Sequence, residues 1–132
     1  MTAPNLIDHP VHLGLGATAL QEPAFTGDMA WYEAYAQRHE ADGNEGRLVS
    51  MHRFDQPWNQ WEMHPNGSEL VVCITGRLRL LQERPDEAPA VIDLDPGDYA
   101  INAPGVWHTA DIDGEATALF ITSGIGTEHR PR

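Results

Sequence analysis

Four side chains of the kinds that bind divalent metals, Glu62, His64, Glu69 and His108, stand in two short stretches of this chain. Imidazole nitrogen and carboxylate oxygen both ligate first-row metals, and such sites gather ligands from strands far apart in sequence. The first stretch is WEMHPNGSELVVCITG, residues 61 to 76. Successive side chains of a strand face opposite ways, so Glu62 and His64 share one face while Trp61 and Met63 take the other. His-Pro-Asn-Gly-Ser then turns the chain, and Glu69 enters a second apolar run, LVVCIT, that ends at Gly76. The second stretch is PGDYAINAPGVWHTAD, residues 96 to 111, where Pro96-Gly97 and Pro104-Gly105 are turn signals and His108 follows the second. Brought together, two carboxylates and two neutral imidazoles neutralise one divalent ion, and Fe, Mn, Ni and Zn all suit such a set.

The two stretches resemble the paired motifs of the cupins, small antiparallel β-barrels. The first cupin motif reads G, five residues, H-x-H, three or four residues, E, six residues, G. The second reads G, five residues, P-x-G, two residues, H, three residues, N. His64 matches the second histidine of the first motif, with Glu69 and Gly76 at the family spacing, and Gly97, Gly105 and His108 fall in register with the second. The departures are Glu62 for the first histidine, Gln56 for the opening glycine, Ala103 for the proline and Ile112 for the asparagine. Residues 47 to 123 carry the resemblance. It implies an all-β fold, a single antiparallel cupin β-barrel (a double-stranded β-helix, or jelly roll), with an N-terminal extended arm and one short helix. Residues 1–132 then form one domain, with 1–46 as arm and helix, 47–123 as conserved barrel and 124–132 as C-terminal tail.

The resemblance implies a metal-binding cupin whose ion is held by His64, Glu69, His108 and Glu62, acting as an enzyme on a small organic molecule by dioxygenase-, isomerase- or lyase-type chemistry. Glu62 has two readings: a fourth ligand, or a hydrogen-bond partner of an imidazole and catalytic general base. The alternative function is a non-enzymatic module that binds or senses a small molecule in the same cavity, with its metal site vestigial or absent. Cupins are commonly dimers, and the arm and the aromatic helix face give a homodimer material for a symmetric interface.

Composition narrows the classes. The chain has 132 residues, 41% of them hydrophobic, which suits one domain with a single core. Its formal net charge of -12 disfavours nucleic acid and anionic membrane surfaces. All eight basic residues are arginine, so lysine Schiff-base chemistry and the P-loop are excluded. None of Ser50, Ser68 and Ser123 lies in a G-x-S-x-G setting, which excludes an esterase of the elbow type. No run reaches the roughly 18 apolar residues of a membrane helix, and MTAPNLIDHP lacks the features of a signal peptide, so the expected location is cytoplasmic. The single cysteine, Cys73, forms no intrachain disulfide and shares the parity of Glu69 and Val71, which points it into the barrel as an apolar filler.

The elements that must position these residues are read from periodicity. Residues 1 to 25 read as an extended arm. A helix is expected from Asp28, its N-cap, to about Glu40, ended by Gly43. Eight strands follow, at 47–54, 58–64, 70–75, 77–83, 89–94, 98–102, 106–111 and 116–123, enough for a closed barrel. ERPDEAP, 83 to 89, reads as a solvated hairpin loop and GTEHRPR as a tail, with folding back over the barrel as its alternative. His52 and Arg53 occupy opposite faces of one strand; surface exposure is expected for both, and Arg53 is the one placed to meet a substrate carboxylate. Trp58, Trp61 and Trp107 read as packing residues, with a ligand-stacking wall as the alternative.

Overall fold

A computed structural model describes all 132 residues. The strands are β1 (Val11–Gly14), β2 (Thr18–Gln21), β3 (Arg47–Phe54), β4 (Gln60–Met63), β5 (Glu69–Thr75) and β6 (Leu78–Arg84). They continue with β7 (Glu87–Leu94), β8 (Tyr99–Asn102), β9 (His108–Ile112), β10 (Ala116–Thr122) and β11 (Glu128–Pro131). One helix, α1 (Met29–Arg38), precedes β3 and runs into a 3-10 segment, Glu40–Glu45. The strands form two antiparallel sheets, a six-stranded one in the order β2-β1-β3-β10-β5-β8 and a five-stranded one in the order β11-β4-β9-β6-β7. The fold is therefore the expected all-β jelly roll, built as two sheets with no hydrogen-bonded strand pair closing them into a barrel.

Alternation within strands explains the core. On β5 the residues Glu69, Val71 and Cys73 are buried while Leu70 and Val72 are half-buried on the outer face. Leu78 and Leu80 of β6, Leu94 of β7, Ala110 and Ile112 of β9 and Phe120 of β10 join Val71 and Cys73 in one cluster between the sheets. Cys73 is thus the inward filler its parity predicts, and burial pushes its thiol pKa up, away from thiolate reactivity. Gly76 joins β5 to β6 at φ 74°, and a Cβ there would lie 2.1 Å from the Glu115 carbonyl oxygen, so this position admits glycine alone.

The helix begins as expected. Asp28 is the N-cap and accepts from the Trp31 backbone N–H at 3.0 Å. Trp31 is buried against the chain's own N-terminal segment, so α1 offers less of its aromatic face to a second subunit than the sequence suggested. Below it, His12 lies between Tyr35 Oη and Asp42 Oδ2, each at 2.6 Å, stacked on His39, while Glu22 takes Arg38 and His39. His12 has both ring nitrogens engaged. This buried network lashes the arm to the helix.

The segments expected as arm, hairpin loop and tail contain ordered strands. Part of the N-terminal arm is the β1–β2 hairpin, whose β1 pairs with β3, because short four-residue strands with exposed faces leave almost no periodic signal until a neighbour supplies their hydrogen bonds. Residues 83 to 89 are a tight hairpin, not a loop: only Pro85 and Asp86 turn, Asp86 at φ 59°, and Arg84 already pairs with Glu87. Pro89 is tolerated in β7 because that strand is a sheet edge. The C-terminal tail folds back as β11, pairing with β4 from Glu128↔Met63 to Pro131↔Gln60. No helix is long and apolar enough to cross a membrane.

Candidate metal centre

Strand geometry brings the four expected ligands to one place. Glu62 lies on β4 with His64 just beyond its end, and β4 pairs with β9 so that Glu62 stands opposite His108. Glu69 opens β5 in the other sheet. The ligand atoms of Glu62, His64, Glu69 and His108 all lie within 4.8 Å of one another, with His64, Glu69 and His108 buried and Glu62 half-buried.

The separations are those of a coordination sphere. His64 Nε2 lies 2.9 Å from Glu62 Oε1 and 3.1 Å from Glu69 Oε2, and His108 Nε2 lies 3.2 Å from Glu69 Oε1. Ligand bonds of ~2.0–2.2 Å place neighbouring ligand atoms about 3.0–3.4 Å apart in octahedral or tetrahedral arrangements.

Hydrogen bonds on the far side of each ring decide which nitrogen is available. His108 Nδ1 lies 3.2 Å from the Val106 carbonyl, which can only accept, so Nδ1 carries the proton. His64 Nδ1 lies 2.8 Å from Thr127 Oγ1, and that hydroxyl spends its own proton on the Gly124 carbonyl at 2.9 Å, so it accepts from His64. Both imidazoles therefore turn Nε2 toward the carboxylates, and both Nε2 atoms are buried without a well-aligned hydrogen-bond partner although carboxylate oxygens are close. Such an arrangement is repulsive unless a cation or a proton occupies the centre. The residues present fit a divalent ion.

Glu69 is oriented by Thr122 Oγ1, which donates to Oε2 at 2.6 Å, and by Asn102 Nδ2, which donates to Oε1 at 3.2 Å. Both face it directly across the ladder, Asn102 from β8 and Thr122 from β10. Supporting bonds of this type fix ligand geometry.

Without an ion the site holds charge by pairing. Burial opposes ionisation of Glu62, but His129 and His64 outweigh it and hold the carboxyl down at about 2. Burial likewise opposes a charged His64, and the carboxylates of Glu62 and Glu69 overcome it, raising the imidazole to about 9. Glu69, also resisted by burial, is held well below the usual carboxylate range by His108 and His64.

Sequence reasoning missed the C-terminal contribution. His129 on β11 stands opposite Glu62, its Nε2 3.3 Å from Glu62 Oε2, and Thr127 holds His64. The signal was faint: a histidine and a threonine in a seven-residue segment, placed only by pairing with a strand more than sixty residues earlier.

Aromatic side chains line the interior beside the site. Trp58 packs on Phe54, Phe120 and His108, and His52 continues the layer through Phe120 and Phe25 to Tyr32 of α1. His52 faces this interior and not solvent, contrary to expectation, because its partners on the strand parity are Ser50 and Phe54; burial lowers its pKa despite the pull of Glu62. Tyr32 is pushed up to about 12 by burial and then by the charges of Glu62 and Glu69. Arg53 lies outside, paired with Glu115 at 3.2 Å. Trp61 and Trp107 both stack against the Arg130 guanidinium.

No family model and no curated protein matches the chain. Solved structures do. A variant of oxalate decarboxylase from B. subtilis superposes with TM-score 0.56 at 14% identity, over 73% of this chain and 26% of that one. The fold is that of the cupins. A hydroquinone 1,2-dioxygenase, solved with Cd2+ and 4-hydroxybenzonitrile, superposes with TM-score 0.50 at 15% identity over 58% of this chain and 56% of that one. A cupin-2 domain protein from Shewanella frigidimarina is 19% identical over 65% of this chain and 71% of that one, with TM-score 0.48. The chain thus spans about half of the dioxygenase chain and a quarter of the decarboxylase chain.

Proposed function

We propose that this chain is a metal-dependent enzyme acting on a small organic molecule, with one divalent transition metal held by Glu62, His64, Glu69 and His108. The observation that carries the reading is the pair of buried Nε2 atoms, fixed by Val106 and Thr127 on their far sides and facing carboxylates at 2.9 to 3.2 Å. A divalent ion there supplies Lewis acidity toward a substrate oxygen, or a binding position for dioxygen.

The residues of the chain supply the rest. Glu62 is the one ligand with appreciable exposure, 27% of its side chain, and His129 beside it is 40% exposed. Glu62 is therefore the ligand that a substrate can reach, and His129 Nε2, 3.3 Å from its Oε2, links it to solvent. His64, Glu69 and His108 hold their positions. Phe54, Trp58 and Phe120 exclude water behind His108.

Charge limits the substrate. Seven of the eight arginines pair with carboxylates outside the site, and Arg47 is exposed, so no arginine at the site awaits a second negative group. The fitting substrate is neutral or singly charged. A cytoplasmic homodimer, without nucleic-acid or membrane partners, completes the proposal.

The test is elemental mass spectrometry on untagged protein. Wild type should hold about one transition metal per chain and His64→Ala none, as a four-ligand site requires. A wild type that is metal-free and refuses iron, manganese, nickel and zinc would sink the metalloenzyme reading and leave a small-molecule binding or sensing module.

A further inference from the structure

A polar group enclosed by protein is costly without a partner, so such a group beside a functional site points to a ligand that supplies one. Three buried side-chain polar atoms of this chain lack a partner: Nε2 of His64, Nε2 of His108 and Nε1 of Trp58. The ion of the proposed centre accounts for the first two. The third is an indole N–H, which can only donate, in a ring packed on His108, Phe54 and Phe120. Two further polar side chains belong to the same layer. His52 packs on Phe120, Phe54 and Phe25, and Phe25 in turn meets Tyr32 of α1, with ring centroids 4.9 to 6.3 Å apart. His9, His12, His39, His64 and His108 all hydrogen-bond within the chain through a ring nitrogen, and Tyr35 does so through its hydroxyl, whereas His52 and the Tyr32 hydroxyl do not. Both lie near enough to Glu62 for its charge to act on them, and Glu62 is the ligand that a substrate can reach.

We propose that Tyr32 and His52, with Trp58 of the same layer, form the second half of the substrate site and take a hydroxyl group of a small molecule whose other oxygen sits on the ion. The assignment rests on the metal centre proposed above and adds to it what the substrate must carry. Burial pushes Tyr32 up to about 12, the charges of Glu62 and Glu69 adding to it, so its hydroxyl keeps its proton and donates. Burial lowers the His52 pKa against the pull of Glu62, so the imidazole is neutral, with one donor and one acceptor nitrogen. A hydroxyl uses both, accepting from Tyr32 and donating to His52. A second carboxylate in that place would meet the charges of Glu62 and Glu69, and Arg53, the arginine next to His52 in sequence, is turned outward to Glu115. Tyr32 is held in position by its neighbours. Asp28 caps α1, and buried Trp31 ties the helix to the N-terminal segment by donating from Nε1 to the Pro23 carbonyl at 3.3 Å. The helix thereby serves a site whose four metal ligands all come from later in the chain.

Titration of the cobalt-loaded full chain with hydroxy acids, followed by visible absorption, tests the assignment. The probes 3-hydroxypropionate, 4-hydroxybutyrate and 5-hydroxypentanoate offer a carboxylate to the ion and a hydroxyl at increasing reach, and propionate, butyrate and pentanoate are the same molecules without it. At the fitting length the hydroxy acid should bind about tenfold more tightly than its counterpart, the worth of one or two hydrogen bonds. Tyr32→Phe and His52→Phe keep an aromatic ring in the layer, and each should erase most of that advantage. Affinity for the unhydroxylated acid, circular dichroism and cobalt content should stay as in wild type. A hydroxyl without advantage at every length, or an advantage that survives both substitutions, overturns the proposal. Cobalt content, measured first, separates the two readings. A chain that takes up no metal ends the metal centre and this site with it, whereas a loaded chain indifferent to the hydroxyl removes this site alone.

Discussion

Thr127→Val tests whether the C-terminal strand sets the metal affinity. Valine keeps the shape of threonine and removes only the Oγ1 that accepts from His64 Nδ1 at 2.8 Å. In the metal-bound protein His64 must keep its proton on Nδ1, and that buried N–H then has no partner, a cost of about 1–3 kcal/mol. The metal-free protein escapes part of this cost, because an unligated ring can turn or exchange tautomers. The difference falls on binding. Loss of such supporting bonds typically lowers metal affinity ~10–100-fold, about 1.4–2.7 kcal/mol, which agrees with the cost from the unpaired N–H. Competition with a chromophoric chelator, using Zn2+ and Mn2+ on wild type, Thr127→Val, Thr127→Ser and His64→Ala, measures it. Thr127→Ser should bind nearly as wild type and His64→Ala should not bind. If Thr127→Val binds within about threefold of wild type, the tautomer argument is wrong.

The pH dependence of stability should differ between metal-free and metal-loaded protein. In the metal-free state the His64 pKa is raised to about 9 from 6.5, so its stabilisation is full below about pH 6.5 and is lost as pH rises through 9. Unfolding free energies of chelator-treated protein from urea titrations should fall over that window, by a few kcal/mol at most, while the metal-loaded protein, with no proton on Nε2, should not follow; parallel curves would contradict this. Gly76→Ala should destabilise the fold by about 2 kcal/mol or more, since its Cβ would meet the Glu115 carbonyl oxygen at 2.1 Å in a residue at φ 74°. An unchanged urea midpoint would show that the β5–β6 turn relaxes freely.

The meeting of the four candidate ligands was legible because two local regularities coincide with it. Strand alternation puts Glu62 and His64 on one face, and the spacing through Glu69, Gly76, Gly97, Gly105 and His108 matches a known pair of motifs. Burial of Cys73 and Val71 and the helix start at Asp28 follow from periodicity and capping in the same way. The interior position of His52 did not, because the face a strand turns inward depends on the sheet it joins, and pairing of β3 with β10 puts His52 on the same inward face as Ser50 and Phe54.

What the amino-acid order determined by itself is local: which residues alternate, where the chain must turn, which side chains have metal-binding chemistry, and that no lysine or second cysteine is present. What only the tertiary structure decided is pairing. The meeting of β11 with β4 sets Thr127 on His64 and His129 on Glu62, and the crossing of the two sheets sets Glu69 against both imidazoles. Hydrogen bonding between strands is blind to sequence distance, and it selects among registers by the whole fold's packing. Side chains that orient and serve the ion can therefore lie anywhere along the chain.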